Sequence, residues 1–166
     1  MRRVLKWIVI ILVVAFVAIQ LRRPVRSNPP VDESQTIFAR SQITPEVASI
    51  LNRSCVDCHS NKTVWPWYSH VAPVSWLLAD DVATARQMMN LSEWGRLDPD
   101  RQGKKLRQMC DEVSDGVMPL WFYKPLHPAS KLSPADVKTL CDWTSAERDR
   151  ISSKTSSLLR RPTLTD

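Results

Sequence analysis

The sequence predicts an all-α fold. Only three glycines occur in 166 residues, and no convincing run alternates apolar with polar residues as a half-buried strand would. Four segments open on a proline or a capping residue and continue with apolar residues at helical spacing. Ahead of them stands a long apolar N-terminal run.

From Val4 to Leu21 nearly every residue is apolar, Lys6 being the exception before Gln20. About 20 such residues in a helix cross a hydrocarbon core roughly 30 Å thick. The run ends in Ile19-Gln20-Leu21-Arg22-Arg23, without the A-x-A-like pair of a signal-peptide cleavage site. Residues 1–23 are therefore expected to be an uncleaved transmembrane signal anchor, with residues 4–21 against membrane lipid. Arg2, Arg3 and Lys6 on one side balance Arg22, Arg23 and Arg26 on the other, so the positive-inside rule does not orient it.

Residues 24–39 begin with clustered prolines and polar residues and read as an extended tether. A globular domain is expected over 40–151. Thr44-Pro45-Glu46 opens its first helix, with Val47, Ile50 and Leu51 on one face. Pro73 opens a second, carrying Val74, Leu77, Leu78, Val82 and Ala85. Asp98-Pro99 starts a third with Leu106, Met109, Cys110 and Val113 as its stripe, and Gly116 is a stop signal. Ser133-Pro134-Ala135-Asp136 resembles a capping box ahead of Val137, Leu140, Cys141 and Thr144. The Ser-rich residues 152–166 are expected to be a disordered tail.

The formal charge is +6, but it is not spread over the chain. All the excess lies in residues 1–29, which carry six Lys/Arg and no Asp/Glu, whereas the rest of the chain is neutral. No basic surface is left for phosphate binding, so nucleic acid is excluded as a partner.

Four short helices make a thin core, and small domains often need a staple. Cys55-Val56-Asp57-Cys58-His59 offers one. Two thiols three residues apart on one turn match the two vinyl groups on one edge of a haem, and the following histidine then stands under the iron. Its second ring nitrogen should be held by a backbone carbonyl, for which Pro66 and Pro73 are candidates. Two other chemistries use C-x-x-C. A redox dithiol belongs in a βαβ context, which is missing. A zinc site would need His70 or His127 to complete it, and Cys110 and Cys141 stand apart instead of forming a second pair. Covalent haem attachment takes place outside the cytoplasm, which would put Met1 inside and residues 24–166 outside.

Met118 is the first candidate for the sixth iron ligand. It lies in Gly116-Val117-Met118-Pro119, which resembles the distal loop of class I cytochromes c. Its thioether is a soft ligand that favours ferrous iron. His127 is the main rival and His70 a weaker one, close in sequence to His59; Met88 and Met89 read as packing residues. Trp65, Trp67, Tyr68 and Trp76 follow the haem motif, and Trp121, Phe122 and Tyr123 follow Met118; they are suited to wall the haem from water. Cys110 and Cys141, each on the inward face of its helix, either form a disulfide or remain buried thiols.

The stretch from Cys55 through Trp65-Pro66-Trp67-Tyr68 to Trp76-Leu77-Leu78, together with Asn90-Leu-Ser-Glu-Trp94 and Met118 to Ser133, resembles the bacterial haem-binding domain family of small CxxCH proteins. The resemblance spans roughly residues 40–145. It implies haem binding through Cys55, Cys58 and His59 on a compact helical, cytochrome c-like domain. One departure is Asp80-Asp81-Val-Ala-Thr-Ala-Arg86, where a His-Val and a Gly-Arg pair are expected. This weakens a role for a ligand carried on that helix.

The sequence thus leads to a membrane-anchored mono-haem c-type cytochrome. It is expected in the inner membrane as a single-pass protein, N-terminus inside and haem domain on the periplasmic side. Cys55 and Cys58 hold one covalent haem c, and His59 and Met118 ligate the iron. It exchanges electrons with redox partner proteins and is not itself an enzyme. The alternative is a haem sensor or peroxidase-like domain with an open or weakly held sixth position, served by His70 or His127. A third reading is a structural, haem-stapled interaction module.

Overall fold

A computed structural model describes residues 1–159. The four expected helix starts are all present, three of them held by a side-chain cap, while the helix after Pro73 starts without one. Helix α1 covers Arg2–Ile19, α2 Ile37–Arg40, α3 Pro45–Ser54, α4 Val56–His59, α5 Val74–Met88, α6 Pro99–Ser114 and α7 Pro134–Leu159. Thr44 Oγ1 accepts from the Val47 amide at 3.4 Å at the start of α3, and Asp98 Oδ1 accepts from the Arg101 amide at 2.8 Å at the start of α6. Ahead of α7, Ser133 Oγ accepts from the Asp136 amide at 3.1 Å while Asp136 Oδ2 accepts from the Ser133 amide at 2.8 Å. Reciprocal bonds of this kind are a capping box. Gly116, at φ +70°, ends the turn after α6 in the left-handed region that glycine adopts without cost. No strand occurs among the described residues.

The core forms where the apolar stripes of α3, α6 and α7 meet. Leu51, Leu106 and Leu140 are fully buried there, with Trp94 and Ile37 filling the space between them. Each such side chain contributes about 1.5–3 kcal/mol relative to exposure. The α5 stripe is narrower than its sequence suggests. Leu78 and Val82 are buried, but Val74 and Leu77 lie 44% and 50% exposed. Cys110 on α6 and Cys141 on α7 form a disulfide, with Cα atoms 4.9 Å apart. Of the two states the sequence allowed, the bridged one is present.

The transmembrane anchor is not supported. Among the described residues, no helix is long and apolar enough to cross a membrane. Helix α1 has 18 residues, and Arg2, Arg3 and Lys6 occupy its first turns. The uncharged stretch Trp7–Ile19 rises only about 20 Å against a core of roughly 30 Å. Leu21 lies beyond the helix end, so the apolar run from Val4 to Leu21 overestimates the span. The expected single-pass placement in the inner membrane, with a periplasmic haem domain, falls with it.

Residues 24–39, read as a tether, lie along the domain. Arg26 donates to Ser69 O, Asn28 Nδ2 donates to Thr63 O at 2.8 Å, and the Ile37 amide donates to Leu91 O at 2.8 Å. Helix α7 continues through the first part of the expected disordered tail to Leu159. The rest of that tail, 160–166, lies outside the described residues.

Candidate haem site

The C-x-x-C-H motif is a single helical turn. Helix α3 ends at Ser54, Cys55 leaves helical geometry at φ −125°, and α4 restarts at Val56. The His59 amide closes the turn by donating to Cys55 O at 2.9 Å. Cys55 and Cys58 are therefore three apart on one helical face. Both are free thiols. Burial, with Cys58 as neighbour, pushes the Cys55 thiol up to about 12. Burial and the nearby Asp57 push Cys58 up to about 11. Both sulfurs are accordingly protonated at neutral pH.

His59 is held by the C-terminal end of α5. Its Nδ1 lies 3.1 Å from both Ala85 O and Met89 O. Met89 O lies just past the end of α5, where a carbonyl has no donor from its own helix, while Ala85 O already accepts from the Met89 amide at 2.9 Å and takes His59 as a second partner. This network puts the proton on Nδ1 and leaves the Nε2 lone pair free. Burial holds the imidazole below its ordinary value, opposed by the Met89 and Ala85 carbonyls, and so favours the neutral ring that can ligate a metal. A carbonyl holds His59 as expected, but neither Pro66 nor Pro73 supplies it. The chain returns to the motif through α5, which the sequence did not reveal.

The residues after α5 complete the clamp. The Leu91 amide donates to His59 O at 2.7 Å, Asn90 Nδ2 donates to Asn61 Oδ1 at 2.8 Å, and the Asn61 amide donates to Ser92 Oγ at 3.0 Å. Arg86 donates to Ser60 O, Ser27 O, Asn28 Oδ1 and Thr63 Oγ1, all within 2.8–2.9 Å. Arg86, Ser92 and the two α5 carbonyls went unassigned at the level of sequence. Ser92 lay within the Asn90–Trp94 run of the family resemblance, and Ala85 and Arg86 within the Asp80–Arg86 stretch, where a Gly-Arg pair was expected.

Cys55, Cys58, His59 and Met118 all line one cavity of about 390 Å³. That volume lies in the range of cofactor sites. Leu78, Met109 and Val113 supply apolar wall, and Lys105 stands among the polar lining residues. Met118 is placed by the turn at Gly116 and by its own amide, which donates to Glu112 O at 3.1 Å. His70 and His127 do not line this cavity. His127 Nε2 is bonded to the Tyr68 hydroxyl, and its ring stacks on Tyr123 at 3.9 Å between centroids. Of the aromatic residues expected to wall the site, Phe122 and Tyr123 do so. Trp67 and Trp121 are each 77% exposed, and Trp76 Nε1 donates to Arg22 O at 2.7 Å.

The donor set suits a haem: two adjacent thiols, a neutral imidazole with one nitrogen already engaged, a thioether, and a largely apolar cavity reached by all four. Among the described residues, no three His, Cys, Asp or Glu side chains converge as a site for a bare metal ion. The zinc reading has no ligand set there.

Compared with known proteins, the chain matches the family model described as a haem-binding domain over residues 14–146. No curated protein and no solved structure matches it.

Proposed function

The chain belongs to the haem-binding domain family, and from that premise we propose that it is a mono-haem c-type electron-transfer protein and not itself an enzyme. The carrying observation is that Cys55, Cys58, His59 and Met118 line one cavity. Cys55 and Cys58 would hold a haem through thioether bonds to its vinyl groups, and His59 and Met118 would ligate its iron. Lys105 is the cavity cation available to the propionate carboxylates, since Arg53 is already paired with Asp136 at 2.6 Å. Bound haem supplies reversible one-electron exchange with redox partner proteins.

What the chain contributes is preorganisation. The Ala85 and Met89 carbonyls orient the imidazole before a metal arrives, and such outer partners raise ligand basicity. A thioether in the sixth position favours ferrous iron and raises the potential. Apolar wall from Leu78, Met109 and Val113 keeps water from the site and acts in the same direction. The sensor or peroxidase-like reading needs a distal histidine, and the hydrogen-bonded, stacked position of His127 outside the cavity supports Met118 instead.

The test is an absorption spectrum of the full chain produced with a haem-attachment system, for wild type and Met118→Ala. Haem that survives denaturation on the polypeptide, with a sulfur-to-iron charge-transfer band lost in the variant, is the expected result. An unchanged low-spin spectrum in Met118→Ala removes Met118 as a ligand. High-spin wild-type haem favours the sensor or peroxidase-like domain.

A further inference from the structure

Helix α5 does more than hold His59. One turn before Ala85, its Asp81 also lines the cavity. Oδ2 of Asp81 is shielded from solvent and has no hydrogen-bond partner. None of the ion pairs among the described residues includes Asp81.

None of the other charged or titratable groups around the same cavity pairs with Asp81, and the Cys55 and Cys58 thiols in its lining would be consumed by haem attachment. On its own helix, Asp80 is a second acid and Arg86 is committed to four oxygens. From α3, Arg53 pairs with Asp136. On α4, His59 is held through Nδ1, while Asp57 accepts from the Val64 amide and from the Tyr123 hydroxyl at 3.3 Å. Lys105 on α6 donates to Gln108 Oε1 at 3.3 Å, and Glu112 adds another acid. An unpaired carboxylate in a largely apolar wall favours its neutral form. Burial, with Asp80 adding, holds the Asp81 carboxyl above the usual carboxylate range.

We propose that Asp81 is a redox-linked proton site, taking up one proton when a haem in this cavity is reduced and releasing it on oxidation. The domain then carries a proton together with its electron. The inference rests on the haem site proposed above. Ferric haem carries one more positive charge than ferrous haem, so the oxidised state favours the Asp81 anion. When a one-electron donor reduces the iron, that attraction is lost. The carboxylate then takes a proton from water, and the charge of the cavity is unchanged. Seating a flat apolar cofactor against α5 removes further water from the wall, which strengthens the coupling.

The consequence has a definite sign. The carboxyl titrates at a lower pH in the ferric state than in the ferrous state. Between those two values the midpoint potential falls as pH rises, and outside them it is flat.

The experiment uses the full haem-loaded chain. Midpoint potentials are measured by spectroelectrochemistry across about pH 4–9, a range that brackets perturbed carboxyls, for wild type, Asp81→Asn and Asp81→Glu. Proton uptake on reduction is followed in parallel with a pH indicator. The expected result is a pH-dependent window in wild type that is lost in Asp81→Asn and restored, at a shifted position, in Asp81→Glu. Proton uptake should follow the same order. Equal slopes in wild type and Asp81→Asn assign the proton to the haem propionates or Glu112 and overturn the proposal. A pH-independent wild type overturns it as well. A chain without any haem absorption overturns the haem site itself, and is distinguished by the missing spectrum.

Discussion

Replacing Cys110 and Cys141 together by alanine removes the covalent bond between α6 and α7. The bridge spans a sequence separation of 31 residues, for which chain entropy alone gives a loss of about 3–4 kcal/mol at 25 °C. The loss should reach the site, because α6 provides Met109 and Val113 to the cavity and its Glu112 carbonyl holds the Met118 amide. The assay is urea unfolding followed by tryptophan fluorescence, with Trp94 and Trp143 as buried reporters. With an m-value of about 1–2 kcal/mol/M, the midpoint should fall by roughly 1.5–4 M. Adding reductant to wild type should reproduce the variant curve, since the thioethers of an attached haem resist reduction. A loss below about 1 kcal/mol would refute the reasoning. It would mean either that the cysteines are unpaired or that the unfolded chain is already compact across this loop.

Two further perturbations probe the clamp and the ligand choice. Arg86→Leu leaves Thr63 Oγ1 without its donor and leaves Ser60 O only the 3.5 Å bond from Thr63 Oγ1, in residues only 7% and 3% exposed; at about 1–3 kcal/mol for a buried group left without a donor, it should destabilise the fold by about that amount in the same urea assay, and an unchanged midpoint would show that water replaces the guanidinium. His127→Ala should keep a low-spin haem spectrum and lose about 0.5–1.5 kcal/mol with the Tyr123 stack; a shift to high spin would make His127 the ligand and refute the assignment to Met118.

The features that were legible in the sequence are those with local causes. Thr44, Asp98 and Ser133 cap helices because their side chains reach amides three residues on, and that reach is independent of the rest of the chain. Cys55, Cys58 and His59 share one turn for the same reason. Haem chemistry could be read there because the spacing itself matches the vinyl edge and the iron.

Sequence spacing misled where length and environment decide. The apolar run from Val4 to Leu21 suggested a membrane span, but the helix within it is too short and too charged at its start to cross. Val74 and Leu77 share the periodicity of Leu78 and Val82, yet among the described residues they remain about half exposed.

The tertiary structure alone decided what meets across long stretches of chain. Pairing of Cys110 with Cys141 required α6 to lie against α7. Ala85 and Met89, not a proline, hold His59 because α5 turns its carbonyl end toward α4. His127 left the cavity because Tyr68 and Tyr123 engage it elsewhere. Asp81 entered the cavity wall because its helix packs there for the sake of Leu78 and Val82. Local hydrogen bonds and covalent spacing are encoded within a few residues of sequence, whereas the partner of a side chain across the fold depends on how every helix packs at once.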